Sequence, residues 1–216
     1  DMGVNMAGNC IFDDEAVSDA SRREIVRRYY QAMCDLRTGR GEESAVAKIE
    51  LLMNKAEITV DINPTVAASL RKAEETGMPA VAIELPDGQV ITGKTSSLLG
   101  ASSAALLNAL KVLAGLDDSL HLIAPEVIEP IQHLKVSHLG NHNPRLHTDE
   151  TLIALSISAV TDPNAERAME HLAELSGCDA HSTVILSQVD TDVFRKLGVN
   201  MSCEPRYQTK KLYHKR

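Results

Sequence analysis

The sequence predicts an α/β (α+β) fold, in which an N-terminal helical subdomain over residues 1–77 precedes a layered α/β domain over residues 78–205. Apolar residues recur at helical spacing through the first part, which predicts helices there. Beyond residue 77, short β-favouring runs alternate with helical patterns, and this alternation is typical of helices layered on a sheet. Residues 206–216 are predicted to form a basic C-terminal tail.

Three successive helices make up the predicted helical subdomain. They are predicted over residues 13–36, 42–56 and 63–77. Acidic residues at its start can cap the first helix, and the glycines of the segment TGRG, residues 38–41, end it. Asn63 followed by Pro64 indicates the start of the third helix, because asparagine caps helices and proline fits the first helical position.

A β-hairpin is predicted where the helical pattern ends. The apolar run from Pro79 to Leu85 favours a strand. The segment Pro86-Asp87-Gly88 favours a turn, because Asp-Gly adopts positive φ at low cost. The β-favouring residues 89–92 then form the second strand.

The segment GQVITGKT, residues 88–95, matches the phosphate-loop pattern G-x-x-x-x-G-K-[ST] at every fixed position. A working phosphate loop curls between a strand and a helix, so that its backbone N–H groups converge on phosphate. Here the variable positions include a valine and an isoleucine, which favour extended strands, and the next helix is predicted to start only near Ser102. We therefore interpret the segment as part of the hairpin. Lys94, Ser96 and their neighbours Thr95 and Ser97 lie where the hairpin leads to the next helix and are candidate anion-binding residues. Ordinary loop and cap chemistry is the alternative.

The rest of the chain is predicted to alternate helix and strand. Helices are predicted over residues 102–113, 126–134, 148–160, 163–177 and 191–197, and strands over residues 121–124, 181–187 and 199–203. In the 148–160 segment Ile153, Leu155 and Ile157 also alternate, so a strand is the alternative there.

The most polar and unusual segment is the histidine loop, residues 138–150. Arg145 offers a planar guanidinium for phosphate or carboxylate, and His142, Asn143 and His147 can orient a polar ligand. We therefore predict an anion-binding or substrate-binding loop. A structural loop whose side chains satisfy their own backbone is the alternative. No metal ligand is assigned, because no pair of histidines lies at metal-binding spacing on a clear helix.

Composition argues against nucleic acid and membrane as partners. The formal net charge is −8 and aromatic residues make up only 3%, so positive charge and base-stacking rings are both scarce. The basic tail is the exception, since it holds five Lys and Arg residues and no acid, and an RNA-binding tail is the alternative there. No apolar run is long enough to span a bilayer.

A cytoplasmic location is expected. The four cysteines form no C-x-x-C pair and the sequence shows no signal peptide, which fits a reduced compartment. The sequence begins with Asp1 rather than methionine and leads directly into helices, so we interpret it as part of a longer protein.

Six segments, taken in order, resemble the C-terminal part of an uncharacterised bacterial family described only as a domain of unknown function. They are DMGVNMAGNCI, RRYYQAMCDLR, KAEETGMPAVAIELPDG, LIAPEVIEPIQHLKV, LGNHNPRLHTDETLIALSISA and KLGVNMSCEPRYQTKKLYH. The resemblance implies a full-length protein about twice this long, whose absent N-terminal half is a partner of this chain. It also implies a glycine-rich, phosphate-loop-like segment in that half, where any nucleotide chemistry would lie. It implies no activity and no catalytic residues.

The order hairpin, helix, strand, helix also resembles the cytidine deaminase fold. In that fold a His- or Cys-Ala-Glu motif opens the helix after the hairpin, and P-C-x-x-C opens the next helix. This sequence has GASSAALL and APEVIEPI at those places, so it lacks the zinc ligands and the catalytic glutamate of the first motif. The resemblance therefore implies the fold without zinc deamination.

Two functions stay open from the sequence. The first is the C-terminal region of a larger cytosolic enzyme that binds a phosphorylated or anionic small molecule, with unknown catalytic residues and no cofactor predicted in this chain. Its binding residues would be Arg145, His142, His147, Asn143, Lys94 and Ser96. The second is a non-catalytic assembly region, and a homo-oligomer is expected. The first function requires one cleft that contains both the histidine loop and the Lys94 segment, whereas the second separates them or buries them against another chain.

Overall fold

A computed structural model of the chain describes residues 14–208 and confirms the α/β fold class. In this part of the chain, eight α-helices accompany a four-stranded mixed sheet. The helices are α1 (Asp14–Arg37), α2 (Glu43–Lys55), α3 (Pro64–Thr76), α4 (Ala101–Leu113), α5 (Pro125–His133), α6 (Thr148–Ser158), α7 (Pro163–Glu170) and α8 (Gln188–Lys196). The strands are β1 (Ala80–Glu84), β2 (Val90–Lys94), β3 (Asp179–Ser182) and β4 (Asn200–Cys203).

The sheet has the order β2-β1-β3-β4. Strand β1 pairs antiparallel with both β2 and β3, whereas β3 and β4 are parallel. Val81 lies opposite Gly93 on one side and Ser182 on the other. This register brings the start of β1 and the ends of β2, β3 and β4 to one edge of the sheet. The segments that follow the strands at this edge form the candidate site.

The predicted hairpin is confirmed, and GQVITGKT is not a curled loop. Its residues Val90–Lys94 form β2, and Gly88 occupies the turn with φ +84°. Gly93 allows close approach of α4, since an added Cβ would lie 2.1 Å from the backbone nitrogen of Ala105. The second glycine of the pattern therefore serves helix–sheet packing and not phosphate binding.

The main hydrophobic core lies between the sheet and the helices of the second part of the chain. Val81 and Ile83 of β1 are fully buried in it, together with Leu106 and Leu110 of α4. Ala82, which points to the other face of β1, is also fully buried. Helix α3 contacts β1, β2 and β3, so helices cover both faces of the sheet.

A second hydrophobic cluster joins α1, α2 and α3. Its buried members are Val26, Tyr30, Met53, Ile58 and Val66. The Tyr30 ring also packs against His181 of β3, with ring centroids 4.6 Å apart. Arg23 adds ion pairs from α1 to Glu84 of β1 and Asp179 of β3. The first helices therefore pack directly onto the sheet.

Three predicted elements are wrong in existence or extent, and one alternative is resolved. The strand predicted over residues 181–187 ends at Ser182, since β3 spans Asp179–Ser182 and residues 183–187 are irregular. The strand predicted over residues 121–124 is absent, and the segment is irregular although Leu122 and Ile123 are buried. A short apolar run indicates that a segment is buried, but a buried segment need not pair as a strand. The helix predicted over 163–177 ends at Glu170 and continues only as a 3₁₀ turn over Leu172–Leu175. The 148–160 segment is a helix, because α6 spans Thr148–Ser158.

The structure does not confirm the resemblance to cytidine deaminases, since the segment between α4 and α5 forms no strand. Predictions for residues 1–13 and for the basic tail from residue 209 onward lie outside the described residues. Within residues 14–208, no helix has the length and apolar character needed to cross a membrane.

Candidate functional site

A cleft of about 220 Å³, which we call the anion pocket, opens at the sheet edge where β3 ends. Its lining comes from six parts of the chain: Pro79 before β1, Thr95 after β2, Gly100–Ser102 at the start of α4, Asn143 and Arg145–His147 of the histidine loop, Val184–Ser187 with Asp190 after β3, and Gln208 near the end of the described residues. The helices α4, α6 and α8 all begin at this cleft. The positive ends of three helix dipoles therefore lie around it.

The N-terminus of α4 is the part of the anion pocket that lacks partners. Gly100 is its N-cap and supplies no capping side chain. Among the described residues, nothing accepts a hydrogen bond from the backbone N–H groups of Ala101, Ser102 and Ser103. Unpaired N–H groups at a helix start, together with the dipole, favour an anion.

Two nearly buried hydroxyl groups line the same cleft. Thr95 and Ser102 are each only 3% exposed, and both line the anion pocket. No described residue hydrogen-bonds either side-chain hydroxyl, although Ser103 beside them donates to the carbonyl of Leu146 at 3.1 Å. Neither oxygen is among the fully buried unpaired atoms of the described residues, so both open to the cleft and are available to a ligand.

Arg145 is held at the mouth of the anion pocket by its own loop. The backbone of Leu146 pairs with the segment before α4, since its N–H donates to Leu98 and its carbonyl accepts from Gly100. Nε of Arg145 donates to the Ser96 carbonyl oxygen at 2.6 Å. The two terminal guanidinium nitrogens have no partner among the described residues and are free to bind an anion.

His147 and Asp190 form a hydrogen-bonded pair between the histidine loop and α8. Nδ1 of His147 lies 3.0 Å from Oδ2 of Asp190. Thr148 donates to Asp190 Oδ1 through both its N–H and its hydroxyl, and Ser187 donates to Oδ2 at 2.7 Å. With Nδ1 engaged by a carboxylate, Nε2 of His147 is the nitrogen left for a ligand or a proton.

The electrostatics of this pair favour a charged imidazole. The hydrogen bond with Asp190 raises the pKa of His147 above its ordinary value, although burial opposes the shift. Burial alone would raise the pKa of Asp190, but hydrogen bonds from His147, Thr148 and Ser187 outweigh it and lower that pKa. The His147 side chain is 32% exposed, so a ligand can reach it.

A second cleft of about 410 Å³, which we call the polar pocket, adjoins the anion pocket. The two share Asn143 and His147 in their linings. The remaining lining is Lys135, Gly140, Asn141, His142, Asp149, Glu150 and Val189. Almost all of these residues are polar.

Buried Lys135 fixes the histidine loop between the two pockets. Its ammonium donates to the Arg145 carbonyl and to Glu150 Oε2, both at 2.6 Å. Glu150 Oε2 also accepts from the backbone N–H of His147 at 2.9 Å. Lys135 is only 3% exposed, and both of its partners belong to the loop or to the first turn of α6. We assign it a positioning role.

The structure brings together most of the residues that the sequence singled out. Asn143, Arg145 and His147 line the anion pocket, and His142 lines the polar pocket with Asn143 and His147. Lys94 ends β2 and lines neither pocket. The Ser96 hydroxyl accepts from the N–H groups of Leu98 and Leu99. Ser96 contributes to the site through its backbone carbonyl, which holds Arg145.

Sequence reasoning named Thr95 in the segment after the hairpin but missed Ser102, Ser187 and Asp190. Ser102 lies two residues after Gly100 at a helix start, and Ser187 is the N-cap of α8, so each carries only the ordinary signal of a helix start. Asp190 looks like an ordinary acid in the first turn of a helix, and its contact with His147 spans 43 residues. In residues 14–208, no three His, Cys, Asp or Glu side chains converge as metal ligands.

Comparison with known proteins matches the chain to two family descriptions. "Domain of unknown function DUF1846, C-terminal" matches residues 61–213, and "Domain of unknown function DUF1846, N-terminal" matches residues 1–57. UPF0371 proteins of Streptococcus pyogenes serotype M5, Streptococcus pyogenes serotype M1 and Streptococcus thermophilus are each 54% identical to it over 215 residues. The matches cover 100% of this chain but 44% of each relative, so the chain spans less than half the length of these curated relatives.

Proposed function

The chain belongs to the family described as domain of unknown function DUF1846, and on that premise we propose that it supplies an anion-binding site to a larger enzyme. The ligand is a phosphorylated or otherwise anionic small molecule, and its charged group occupies the anion pocket. The relatives are more than twice as long as this chain, so the activity of the whole protein includes residues beyond it.

One observation carries this proposal: unpaired donors converge at the start of α4. The N–H groups of Ala101, Ser102 and Ser103 and the hydroxyls of Thr95 and Ser102 lack acceptors among the described residues. A phosphate has several acceptor oxygens and can satisfy such a set at once. The neighbouring Arg145 guanidinium would neutralise the charge that a bound anion brings.

His147 is the residue that we propose for proton transfer. Asp190 accepts from Nδ1 and thereby fixes the tautomer and the ring orientation, so Nε2 faces the two pockets. A His held by a carboxylate in this way can act as a general acid when it is charged and as a general base when it is neutral. Because the pKa of His147 is raised, a larger fraction of its imidazole is protonated near neutral pH than in free histidine.

Thermal unfolding of the full-length protein with phosphate or sulfate tests the proposal. A ligand present at a hundred times its Kd stabilises the folded state by about 2.7 kcal/mol, which is readily seen as a higher Tm. We expect phosphate to raise the Tm of the wild type and to have little effect on Arg145→Ala. Arg195→Ala is the matched control, because Arg195 is exposed on α8 and pairs only with Asp192.

An unchanged response in Arg145→Ala would place anion binding elsewhere and contradict the proposal. The absence of any phosphate or sulfate response in the wild type would favour the second candidate function, an assembly region. A specific observation supports that candidate. The outer face of α6 and the turn after it expose Ile153, Ile157 and Val160 at helical spacing, as an oligomer interface does.

A cytoplasmic location is also a proposal. Cys34, Cys178 and Cys203 are free thiols in the described part of the chain, and burial raises the pKa of each. Thiols with raised pKa values are poor nucleophiles and stay reduced in a reducing compartment.

A further inference from the structure

We propose that the ligand of this site is a small phosphorylated polyol, with its phosphate in the anion pocket and its hydroxyl groups in the polar pocket. This inference rests on the proposed function and adds the chemical class of the ligand. It depends on the polar pocket, whose side chains the phosphate site itself does not need.

The two pockets are arranged end to end around His147. Both linings contain Asn143 and His147, so a molecule whose phosphate binds at α4 extends past His147 into the polar pocket. The volumes are about 220 Å³ for the anion pocket and about 410 Å³ for the polar pocket. The larger space therefore lies on the side where the uncharged part of the ligand would be.

The polar pocket offers acceptors that are not used within the protein. Asp149 uses only Oδ1, which accepts from the Glu150 N–H at 2.8 Å, and its Oδ2 is free. Glu150 binds Lys135 and the His147 N–H through Oε2 alone, so its Oε1 is free. The side chain of Asn141 has no hydrogen-bond partner among the described residues. Hydroxyl groups can donate to the carboxylates and both donate to and accept from the amide.

The same lining argues against a nucleobase and against an acyl chain. Among the described residues it contains no Phe, Tyr or Trp to stack a base, its only rings are the small imidazoles of His142 and His147, and Val189 is its only apolar side chain. Ligand sites for apolar groups are lined mainly by apolar residues, which this pocket lacks. A hydroxylated carbon chain or sugar ring fits the donors and acceptors that are present.

The charge distribution favours one phosphate group and not two. In the polar pocket Asp149 and Glu150 carry negative charge, and the one lysine in the lining is already bound to Glu150. A second phosphate would lie beside the free carboxylate oxygens and be repelled. The positive groups lie instead in the anion pocket, where Arg145 and the start of α4 are found.

Calorimetric titration of the full-length protein tests the inference with four probes: inorganic phosphate, glycerol 3-phosphate, ribose 5-phosphate and AMP. Heat that persists in Arg145→Ala identifies sites elsewhere in the protein and is subtracted. We expect at least one of the two polyol phosphates to bind about tenfold or more tightly than inorganic phosphate, through hydrogen bonds to charged acceptors. AMP should bind no more tightly than ribose 5-phosphate, because the lining has no Phe, Tyr or Trp ring to stack its base.

The variants Asp149→Ala and Asn141→Ala should remove most of the advantage of the polyol phosphate while leaving the affinity for inorganic phosphate unchanged. Two variants are used because Asp149 lies in the first turn of α6 and its loss could also affect folding. Glu166→Ala is the matched control, since Glu166 is exposed on α7 and lines neither pocket.

The outcomes separate the two proposals. If inorganic phosphate binds in an Arg145-dependent manner but neither polyol phosphate binds more tightly, the polyol inference is wrong and the anion site stands. The inference is also overturned if the advantage survives in both Asp149→Ala and Asn141→Ala, or if AMP binds most tightly. If no probe produces Arg145-dependent heat, the anion site itself is wrong.

Discussion

At the scale of single residues, Asp190 organises the candidate site. Its carboxylate accepts from the His147 ring, from the N–H and hydroxyl of Thr148, and from Ser187. These contacts join α8 to the start of α6 and hold the imidazole between the two pockets. Loss of such a buried acceptor leaves several donors unpaired, and each unpaired donor costs about 1–3 kcal/mol.

We predict that Asp190→Asn lowers the pKa of His147 by removing the carboxylate that stabilises the imidazolium. An NMR titration of the His147 ring measures this directly. Asp192→Asn is the matched control, because Asp192 lies on the same helix and pairs with Arg195 and Gln188 instead. An unchanged His147 pKa in Asp190→Asn would show that the pair does not set the charge of the imidazole.

The same pair predicts how stability depends on pH. The pKa of His147 is raised in the folded state. Its contribution to the free energy of unfolding is therefore fully present below the ordinary pKa of 6.5 and is lost as pH rises through the raised pKa. The pKa of Asp190 is lowered in the folded state. Its contribution to the free energy of unfolding is therefore fully present above the ordinary pKa of 3.8 and is lost as pH falls through the lowered pKa. His147→Gln should therefore lower the Tm more at pH 5.5 than at pH 8.5. An equal loss at both pH values would contradict this assignment.

At the scale of elements, the hairpin and most helices follow from local sequence chemistry. Turn residues, β-branched runs and helix caps act over a few positions, and the sequence predicted β1, β2 and the three helices α1 to α3 on that basis. The segment 121–124 was mistaken for a strand because an apolar run indicates burial in any conformation. Its conformation depends on neighbours distant in sequence, and no local signal reports them.

Gly93→Ala tests the assignment of GQVITGKT to a strand under α4. A Cβ at this position would overlap the backbone of Ala105, so we expect the substitution to destabilise the protein by about 2–4 kcal/mol. Chemical denaturation measures the change. In the control Gly100→Ala, the added Cβ would have its nearest neighbour at 3.6 Å, so we expect only the cost of alanine at an N-cap, about 1 kcal/mol or less. Full tolerance of Gly93→Ala would contradict the observed packing.

At the scale of the whole molecule, the fold class could be predicted but the assembly of the site only in part. The polarity of the histidine loop indicated Arg145, Asn143 and His147 as candidate site residues, and the structure places all three in the lining of one cleft. The other half of the cleft comes from the ends of strands and the starts of helices that meet only through sheet topology. Asp190 has no property in the sequence that distinguishes it from an ordinary acid at a helix start, and Thr95 stands out only as part of the phosphate-loop pattern and the hydroxyl-rich segment after it.

The central claim is that the start of α4 binds the anion, and an amide NMR titration with inorganic phosphate tests it most directly. The account predicts that phosphate causes saturable changes in amide chemical shift. The largest changes should occur at the N–H groups of Ala101, Ser102 and Ser103, since these donors are unpaired. Smaller shifts should appear around Arg145 in the histidine loop. Shifts confined to surface lysines such as Lys94, or no saturable shift at residues 101–103, would contradict the claim.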